Sequence, residues 1–475
     1  MDSFRVALKQ GYEVIIRNNS NFLSNVIEGR DECFLSPAAT LAIQCFQSGL
    51  TVGDTVTYLS NIFNAPVREI KQKIESLIRK LSDYTTVFYP SEISTDKEKS
   101  DDYVLDVRHL RCNVYPYGAV KRSFVPEKIV FNVTDYCPRE CIYCFNGAKC
   151  TKKHKIKDEF LPLDRFESVL LEAKRTGVKT IEIGGGDPFI RQDITDYLSI
   201  CDQYYPGAWG TSTKAFISKA VAQKLSRLSS VDIQISLDAF DEVIADTLMG
   251  VSGSYRQILK SFDNLLNIGI VPSAKMVITS LNCDLIADSF HRFAEMGIKT
   301  IRANVYMMSP NRHSEYLYPS PAQIDRFNKE VEEILAFAYE NCIETDIRKV
   351  EMPAPIQHEN GIDSRVFCGA STSDMYIRHD GMMIFCGQIN NCEELTIGNL
   401  KDSGIMELWH SKKISDLFRP GHLKNCFSGT KCFDCKDYNR CYPKRCYVRS
   451  YVETGSFFDV DPACPYGTDG YINRG

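Results

Sequence analysis

Six apolar stretches of strand length recur through the middle of the chain, near residues 128–134, 179–184, 208–213, 231–237, 273–280 and 299–305. Each is followed by a segment whose apolar positions return at helical spacing. Strands alternating with helices predict a parallel sheet with helical crossovers. Right-handed crossovers curl such a sheet toward a barrel, so residues 128–345 are expected to form a partial (β/α)6 barrel within an α/β fold. Functional residues should gather at the C-terminal ends of its strands.

Residues 1–90 carry a different pattern. Polar and apolar residues alternate over Tyr12–Arg17, and helices are expected over 36–47, 52–63 and 67–81. Ser36 ahead of Pro37 suits a helix N-cap, Thr51 can cap the second helix, and Ile70, Ile74, Leu77 and Leu81 recur at helical spacing. Three short helices with flanking strands suggest a winged helix. From Ser91 to Asp102 charges dominate and apolar residues are few, so 91–127 is expected to be a linker and bridging region. Residues 346–475 form a last, cysteine-rich segment.

The chain has 475 residues, a net charge of −5 and 25% charged residues, which is ordinary for a protein of several domains. Its basic runs, Lys152–Lys155 and Lys412–Lys413, are too short to suggest nucleic acid. No apolar run reaches about 18 residues and the first residues lack a signal-peptide pattern, so a cytoplasmic protein without a membrane partner is expected. In that compartment thiols stay reduced, and 19 cysteines point to metal ligation more than to disulfides.

The cysteines cluster. Cys137, Cys141 and Cys144 sit on one short stretch directly after the first barrel strand. Three thiolates on a loop can hold a [4Fe–4S] cube with one iron corner left open for a small molecule, or they can contribute to a zinc site, which normally closes four positions. Gly184, Gly185, Gly186 and Asp187 end the second strand, and Ser236 and Asp238 end the fourth. The three motifs in this order, with Tyr143 just before the last cysteine, resemble the radical S-adenosylmethionine (SAM) superfamily, whose fold is a partial TIM-type barrel. The resemblance implies that Cys137, Cys141 and Cys144 bind a catalytic [4Fe–4S] cluster whose open iron holds SAM for reductive cleavage to a 5′-deoxyadenosyl radical. It further implies a SAM pocket formed by Tyr143, the three glycines, Asp187, Ser236 and Asp238. Most members have Glu where this chain has Asp187. Arg256 can pair with the SAM carboxylate or can be an exposed helical arginine paired with a nearby acid. Thr213, Lys214, Asn282 and Asn304 lie at or after strand ends, with no role assigned.

Toward the C-terminus, Cys368, then Gly381 with Cys386, then Cys432, Cys435, Cys441 and Cys446, then Cys464 resemble the seven-cysteine SPASM domain. Its last short gap is four residues where the family usually has three. The likeness implies two auxiliary [4Fe–4S] clusters, three clusters in all, with Cys368, Cys386 and Cys446 on the first and Cys432, Cys435, Cys441 and Cys464 on the second. Cys392, Cys426 or an open iron corner completes the first. A pair of zinc knuckles is the competing reading. Cys33, Cys45, Cys112, Cys150, Cys201, Cys283 and Cys342 have no partner at ligand spacing and read as small buried hydrophobes.

Residues 1–90 resemble the RiPP recognition element, which binds leader peptides of ribosomally made peptides as an added strand. Together the resemblances imply a radical SAM/SPASM peptide maturase. It would abstract hydrogen from a core residue of a precursor peptide and install a cross-link, a thioether first, a C–C or ether link next. A flavodoxin or ferredoxin-type protein would be the reductant. Alternatives are a sulfatase-maturating type of oxidation of Ser or Cys in a protein, and a non-catalytic iron–sulfur scaffold or sensor.

Overall fold

The computed structural model describes residues 5–9, 12–17, 20–25, 30–47, 50–63, 65–88, 111–113, 121–123, 125–157, 160–350, 369–390, 392–411, 413–414, 428–435, 446–457, 459–462 and 464. Cys368, Cys426 and Cys441, and the charged stretch 91–102, lie outside them.

The N-terminal unit begins with β1 (Arg5–Leu8), followed by an antiparallel sheet of β2 (Tyr12–Arg17), β3 (Ser20–Asn25) and β4 (Arg30–Leu35). Then come α1 (Pro37–Gln47), α2 (Val52–Phe63) and α3 (Val67–Lys80), and β5 (Thr85–Phe88) returns to pair with β1. The helix starts follow the expected chemistry. Ser36 Oγ accepts from Ala39 N at 3.2 Å, and Thr51 Oγ1 accepts from Asp54 N at 3.0 Å. Leu23, Leu35, Ile43 and Leu81 make a small core between sheet and helices, while Ile70 and Ile74 join the large core shared with the barrel. The stretch expected to bridge holds a hairpin of β6 (Arg111–Asn113) and β7 (Lys121–Ser123).

The catalytic portion runs β8 (Lys128–Asn132), β9 (Tyr136–Cys137), β10 (Lys149–Cys150), α4 (Leu163–Thr176), β11 (Thr180–Gly184), α5 (Ile194–Tyr204), β12 (Trp209–Thr213) and α6 (Lys219–Leu225). It continues with β13 (Ile233–Ser236), α7 (Glu242–Met249), α8 (Ser254–Leu266), β14 (Ser273–Ile278), α9 (Ile286–Glu295), β15 (Thr300–Val305), α10 (Pro321–Glu340) and β16 (Glu344–Thr345). All six expected strands are present and parallel, in the order β8-β11-β12-β13-β14-β15, with β16 added at one edge. The last segment holds β17 (Asp374–Ile377), β18 (Met382–Ile384), β19 (Thr396–Asn399), α11 (Ile405–Trp409) and α12 (Tyr447–Thr454). The boundary expected at 345/346 is crossed by the sheet: β17 pairs in parallel with β8, and β18 and β19 extend it to ten strands.

Burial along the strands alternates. Ile181, Ile183, Ile233, Ile235, Ala274, Met276 and Ile301 are buried, whereas Glu182, Ser212, Gln234, Ser236, Lys275 and Arg302 between them are part-exposed or exposed. A sheet covered on both faces would read as unbroken apolar runs. Here one face packs on the helices and the other is a polar concave surface. The N-terminal unit leans on this body through α2, which contacts α11, and α11 is fastened to α4 by Glu172, whose Oε1 accepts from Ile405 N at 2.6 Å.

Candidate active site

The loop from β8 through Cys144 is held from several sides by backbone. Gly186 N donates to Thr134 O at 2.7 Å and Asp187 N to Tyr136 O at 2.8 Å. Glu140 N donates to Met249 O at 2.9 Å and Ile142 N to Leu248 O at 3.1 Å. From the stretch after β15, Arg312 donates to Cys141 O and Ala148 O, both at 2.9 Å. Asn311 Nδ2 donates to Phe145 O at 2.8 Å and also to Gln388 O at 2.7 Å, so a single amide links the residue after Cys144 to the turn that follows Cys386.

Two of the three glycines lie against backbone. Gly185 has φ +115, and a Cβ there would collide with Thr134 O; one at Gly186 would collide with Tyr136 O. Their missing side chains let the end of β11 lie against the backbone leading to Cys137. Asp187 is equally engaged. It is 2% exposed, and its carboxylate accepts from Phe189 N (3.1 Å), Thr213 Oγ1 (2.8 and 3.0 Å) and Lys214 N (2.7 Å). Burial raises its pKa, opposed by those donors. With its oxygens so occupied, Asp187 shapes the site by tying β11 to β12.

A buried ionic group stands beside the loop. Asp238, fully buried, receives Lys214 Nζ at 2.8 Å and Val277 N at 2.8 Å, and the Tyr143 hydroxyl bonds both Asp238 and Lys214. Lys214 Nζ also stands 4.8 Å from the centre of the Tyr143 ring. Burial by itself would lower the Lys214 pKa, but the Asp238 carboxylate outweighs it and the pKa rises, keeping the ammonium charged. Burial first, then Asp238, pushes the Tyr143 phenol well above its usual range. Asn282 fixes the turn behind them, donating to Asp238 O at 2.7 Å.

Arg139, inside the cysteine motif and 3% exposed, donates to Lys214 O at 3.0 Å and Gln257 Oε1 at 2.9 Å. Burial raises the Cys137 thiol pKa, and the neighbouring Asp187 and Cys141 add to it. Burial likewise raises Cys141, against the field of Lys214. Ser236 ends β13 on the polar face, and among the described residues its hydroxyl has no hydrogen-bond partner. Arg256 is not brought in: its side chain is 78% exposed on α8 and pairs with Glu242 at 2.8 Å. The sequence reading assigned no role to Arg139, Lys214, Asn311 or Arg312. Arg139 lies within the motif itself, and the other three follow strand C-terminal ends, which is the signal that marks them.

In the C-terminal segment Cys386 is buried, and Cys392, Cys432, Cys435, Cys446 and Cys464 are half-buried. Asp461 joins two of them, its carboxylate accepting from Cys446 N at 2.8 Å and its carbonyl from Cys464 N at 2.7 Å; Arg449 braces that carboxylate at 2.8 and 2.9 Å. Cys45, Cys150, Cys201 and Cys283 are buried as expected of packing residues, Cys33 is half-buried, and Cys342 is exposed. The Cys112 side chain lies outside the described residues. Among the described residues no three of His, Cys, Asp and Glu converge at ligating distance, and no helix is long and apolar enough to cross a membrane.

Comparison with known proteins places this geometry. Residues 131–301 match the model of the radical SAM superfamily, and 368–436 match SPASM, an iron–sulfur cluster-binding domain. Mycofactocin maturase MftC of Mycolicibacterium smegmatis is 23% identical over 351 residues, spanning 72% of this chain and 83% of that one. AdoMet-dependent heme synthase of Methanosarcina barkeri is 21% identical over 361 residues, spanning 72% and 97%. Among solved structures, SuiB of Streptococcus suis bound to S-adenosylmethionine superposes with TM-score 0.58 at 16% identity, covering 98% of this chain and 99% of that one. The chain belongs to the radical SAM superfamily and is an enzyme of its SPASM-containing group. SAM and iron–sulfur clusters are therefore its cofactors. The donor set fits: three neighbouring thiols on one loop, with the Lys214 and Arg312 cations favouring the Cys141 thiolate and the Arg139 backbone N–H the Cys137 thiolate.

Proposed function

We propose that this enzyme modifies a ribosomally made precursor peptide, holding the leader on the N-terminal unit while a core residue reaches the polar face of the barrel. The observation that carries the reading is the N-terminal unit itself. A groove of about 520 Å3 runs between α1, α2 and α3, lined by Ala42, Phe63, Ile74 and Leu77 and rimmed by Lys73 and Lys80. Strands β2 and β4, each paired only with β3 among the described residues, leave two edges where a peptide strand can add. The likeness to SuiB, which has also been solved bound to precursor peptide SuiA, reaches over nearly the whole chain and so includes this unit.

In this proposal three [4Fe–4S] clusters are present. Cys137, Cys141 and Cys144 hold the catalytic one; Cys368, Cys386 and Cys446 hold the first auxiliary one; Cys432, Cys435, Cys441 and Cys464 hold the second. Bound SAM and its cluster supply a hydrogen-abstracting radical. Tyr143, Ser236 and Asp238 position SAM, Tyr143 braced by Lys214, while Gly184, Gly185, Gly186 and Asp187 keep the loop in register. The product is a cross-link, a thioether first and a C–C or ether link next, and a flavodoxin or ferredoxin-type protein is the electron donor. Truncation of 1–90 tests the reading. Leader binding, read by fluorescence anisotropy, should be lost while uncoupled SAM cleavage persists. Unchanged modification of a full-length precursor by the truncated protein would reduce the unit to a structural cap.

A further inference from the structure

A buried acceptor beside the cysteine loop lacks a donor. Gln388, on the turn that follows Cys386, is 8% exposed, and among the described residues its side-chain oxygen Oε1 accepts no hydrogen bond. Native folds rarely bury such an atom unmet, because the loss of its water costs free energy that an apolar side chain of similar shape would not incur. A donor that arrives with a ligand removes that cost.

The surroundings of Gln388 limit which ligand this is. Asn311 Nδ2 donates to Phe145 O at 2.8 Å and to Gln388 O at 2.7 Å, so the two carbonyl oxygens stand at most about 5.5 Å apart, and Phe145 directly follows Cys144. On the other side Asn146 Nδ2 donates to Gly185 O at 2.6 Å, and a Cβ on Gly387 would stand 3.5 Å from Asn146 Oδ1. Gln388 therefore lies where the cysteine loop, the glycine turn after β11 and the segment after β15 meet, at the SAM end of the barrel. SAM brings an α-ammonium, and an ammonium taken out of water needs acceptors. The buried carboxylates of this end are engaged. Asp187 accepts from Phe189 N, Thr213 Oγ1 and Lys214 N, Asp238 from Lys214 Nζ, Val277 N and the Tyr143 hydroxyl, and Asp135 faces His379 at 3.2 Å. A carboxamide oxygen offers two lone pairs and adds no second charge to desolvate.

We infer that Gln388 Oε1 accepts a hydrogen bond from the α-ammonium of bound SAM, a contact that Asp187, with its oxygens occupied, does not supply. The inference stands on the cofactor and holds whatever peptide the enzyme modifies.

Equilibrium dialysis of SAM against the reconstituted full chain, kept oxidised so that SAM is not cleaved, tests it. Two analogues serve as comparison: one with hydrogen in place of the α-ammonium, and S-inosylmethionine, which lacks the adenine amine. Wild type should bind SAM about tenfold or more tighter than the deaminated analogue, the worth of a hydrogen bond to a charged group. Gln388→Met should bind SAM about as weakly as wild type binds that analogue, bind the analogue itself as well as wild type does, and lose the same factor on S-inosylmethionine as on SAM. Gln388→Asn, which keeps the amide but withdraws it by one methylene, should show the same selective loss by a second route. Iron content should stay at the wild-type level, and the melting temperature of SAM-free Gln388→Met should not fall, since the orphaned acceptor is gone. Gln223→Met, on the exposed face of α6, should change nothing. Unchanged SAM affinity in both Gln388 variants overturns the inference. An equal loss on SAM and on the deaminated analogue also overturns it, because Gln388 would then act through the fold. A loss on SAM that is absent on S-inosylmethionine assigns Oε1 to the adenine amine instead, and a lower melting temperature of SAM-free Gln388→Met shows an amide already satisfied within the protein; either result overturns the inference.

Discussion

Asp187 and Lys214 show how one side chain can set the geometry of a site through the neighbours it holds. Replacing Asp187 with Ala strips the acceptor from Phe189 N, Thr213 Oγ1 and Lys214 N, and each buried donor left unsatisfied costs about 1–3 kcal/mol. The expected outcome is a lower melting temperature together with weaker SAM binding; weaker SAM binding at unchanged stability would instead mean direct contact. Lys214→Met leaves Asp238 charged and buried without its partner, a loss of about 3–5 kcal/mol. The double variant Lys214→Met with Asp238→Leu should recover much of that in urea denaturation, and strict additivity of the two single losses would count against a coupled pair. Gly186→Ala meets the Tyr136 carbonyl, so the loop must shift, with about 1–3 kcal/mol lost and SAM cleavage impaired.

At the scale of elements, the segment after β15 works as a clasp. The side chains of Asn311 and Arg312 together make four hydrogen bonds, three to the cysteine loop and the residues just after it and one to the turn after Cys386. Asn311→Ala therefore takes a donor from Gln388 O and one of two from Phe145 O, which Ser309 Oγ still reaches at 3.0 Å. Amide exchange should quicken around Gly147, whose N bonds Cys144 O, and around Ile389, whose N bonds Cys386 O. Unchanged protection at both would show that the two loops are held independently. The same element explains why the C-terminal segment is not a detached module. Its strand β17 is a neighbour of β8, so a chain cut near residue 350 would lose β17 with its buried Met375 and Ile377 and expose the β8 edge.

For the molecule as a whole, three cysteine groups predict about twelve iron atoms per chain after anaerobic reconstitution, four for each cluster. A value near four with bound zinc would contradict the auxiliary assignment. Changing Cys137, Cys141 and Cys144 to Ala should remove about a third of the iron and all SAM cleavage. Cleavage that survived would place the catalytic cluster elsewhere.

Periodicity and motif spacing alone determined the six parallel strands, the three N-terminal helices to within a residue, and the loop that carries Cys137, Cys141 and Cys144. These depend on local backbone preference and on which residues must leave water, both written along the chain. The alternation within the strands, as in Gln234-Ile-Ser236 or Ser273–Ile278, was equally visible and marks a sheet with one polar face, although an apolar-run reading passes over it. What only the tertiary structure decided is partnership. Whether Arg256 on α8 or Lys214 at the end of β12 supplies the site's cation depends on which side chain folds inward, and that is set by Asp238 and Tyr143, 24 and 71 residues from Lys214. Whether Gly186 faces a ligand or a backbone depends on how closely β11 lies against the loop after β8. Such facts are distances between residues far apart in sequence, fixed by packing, and a linear chain carries no local signal for them.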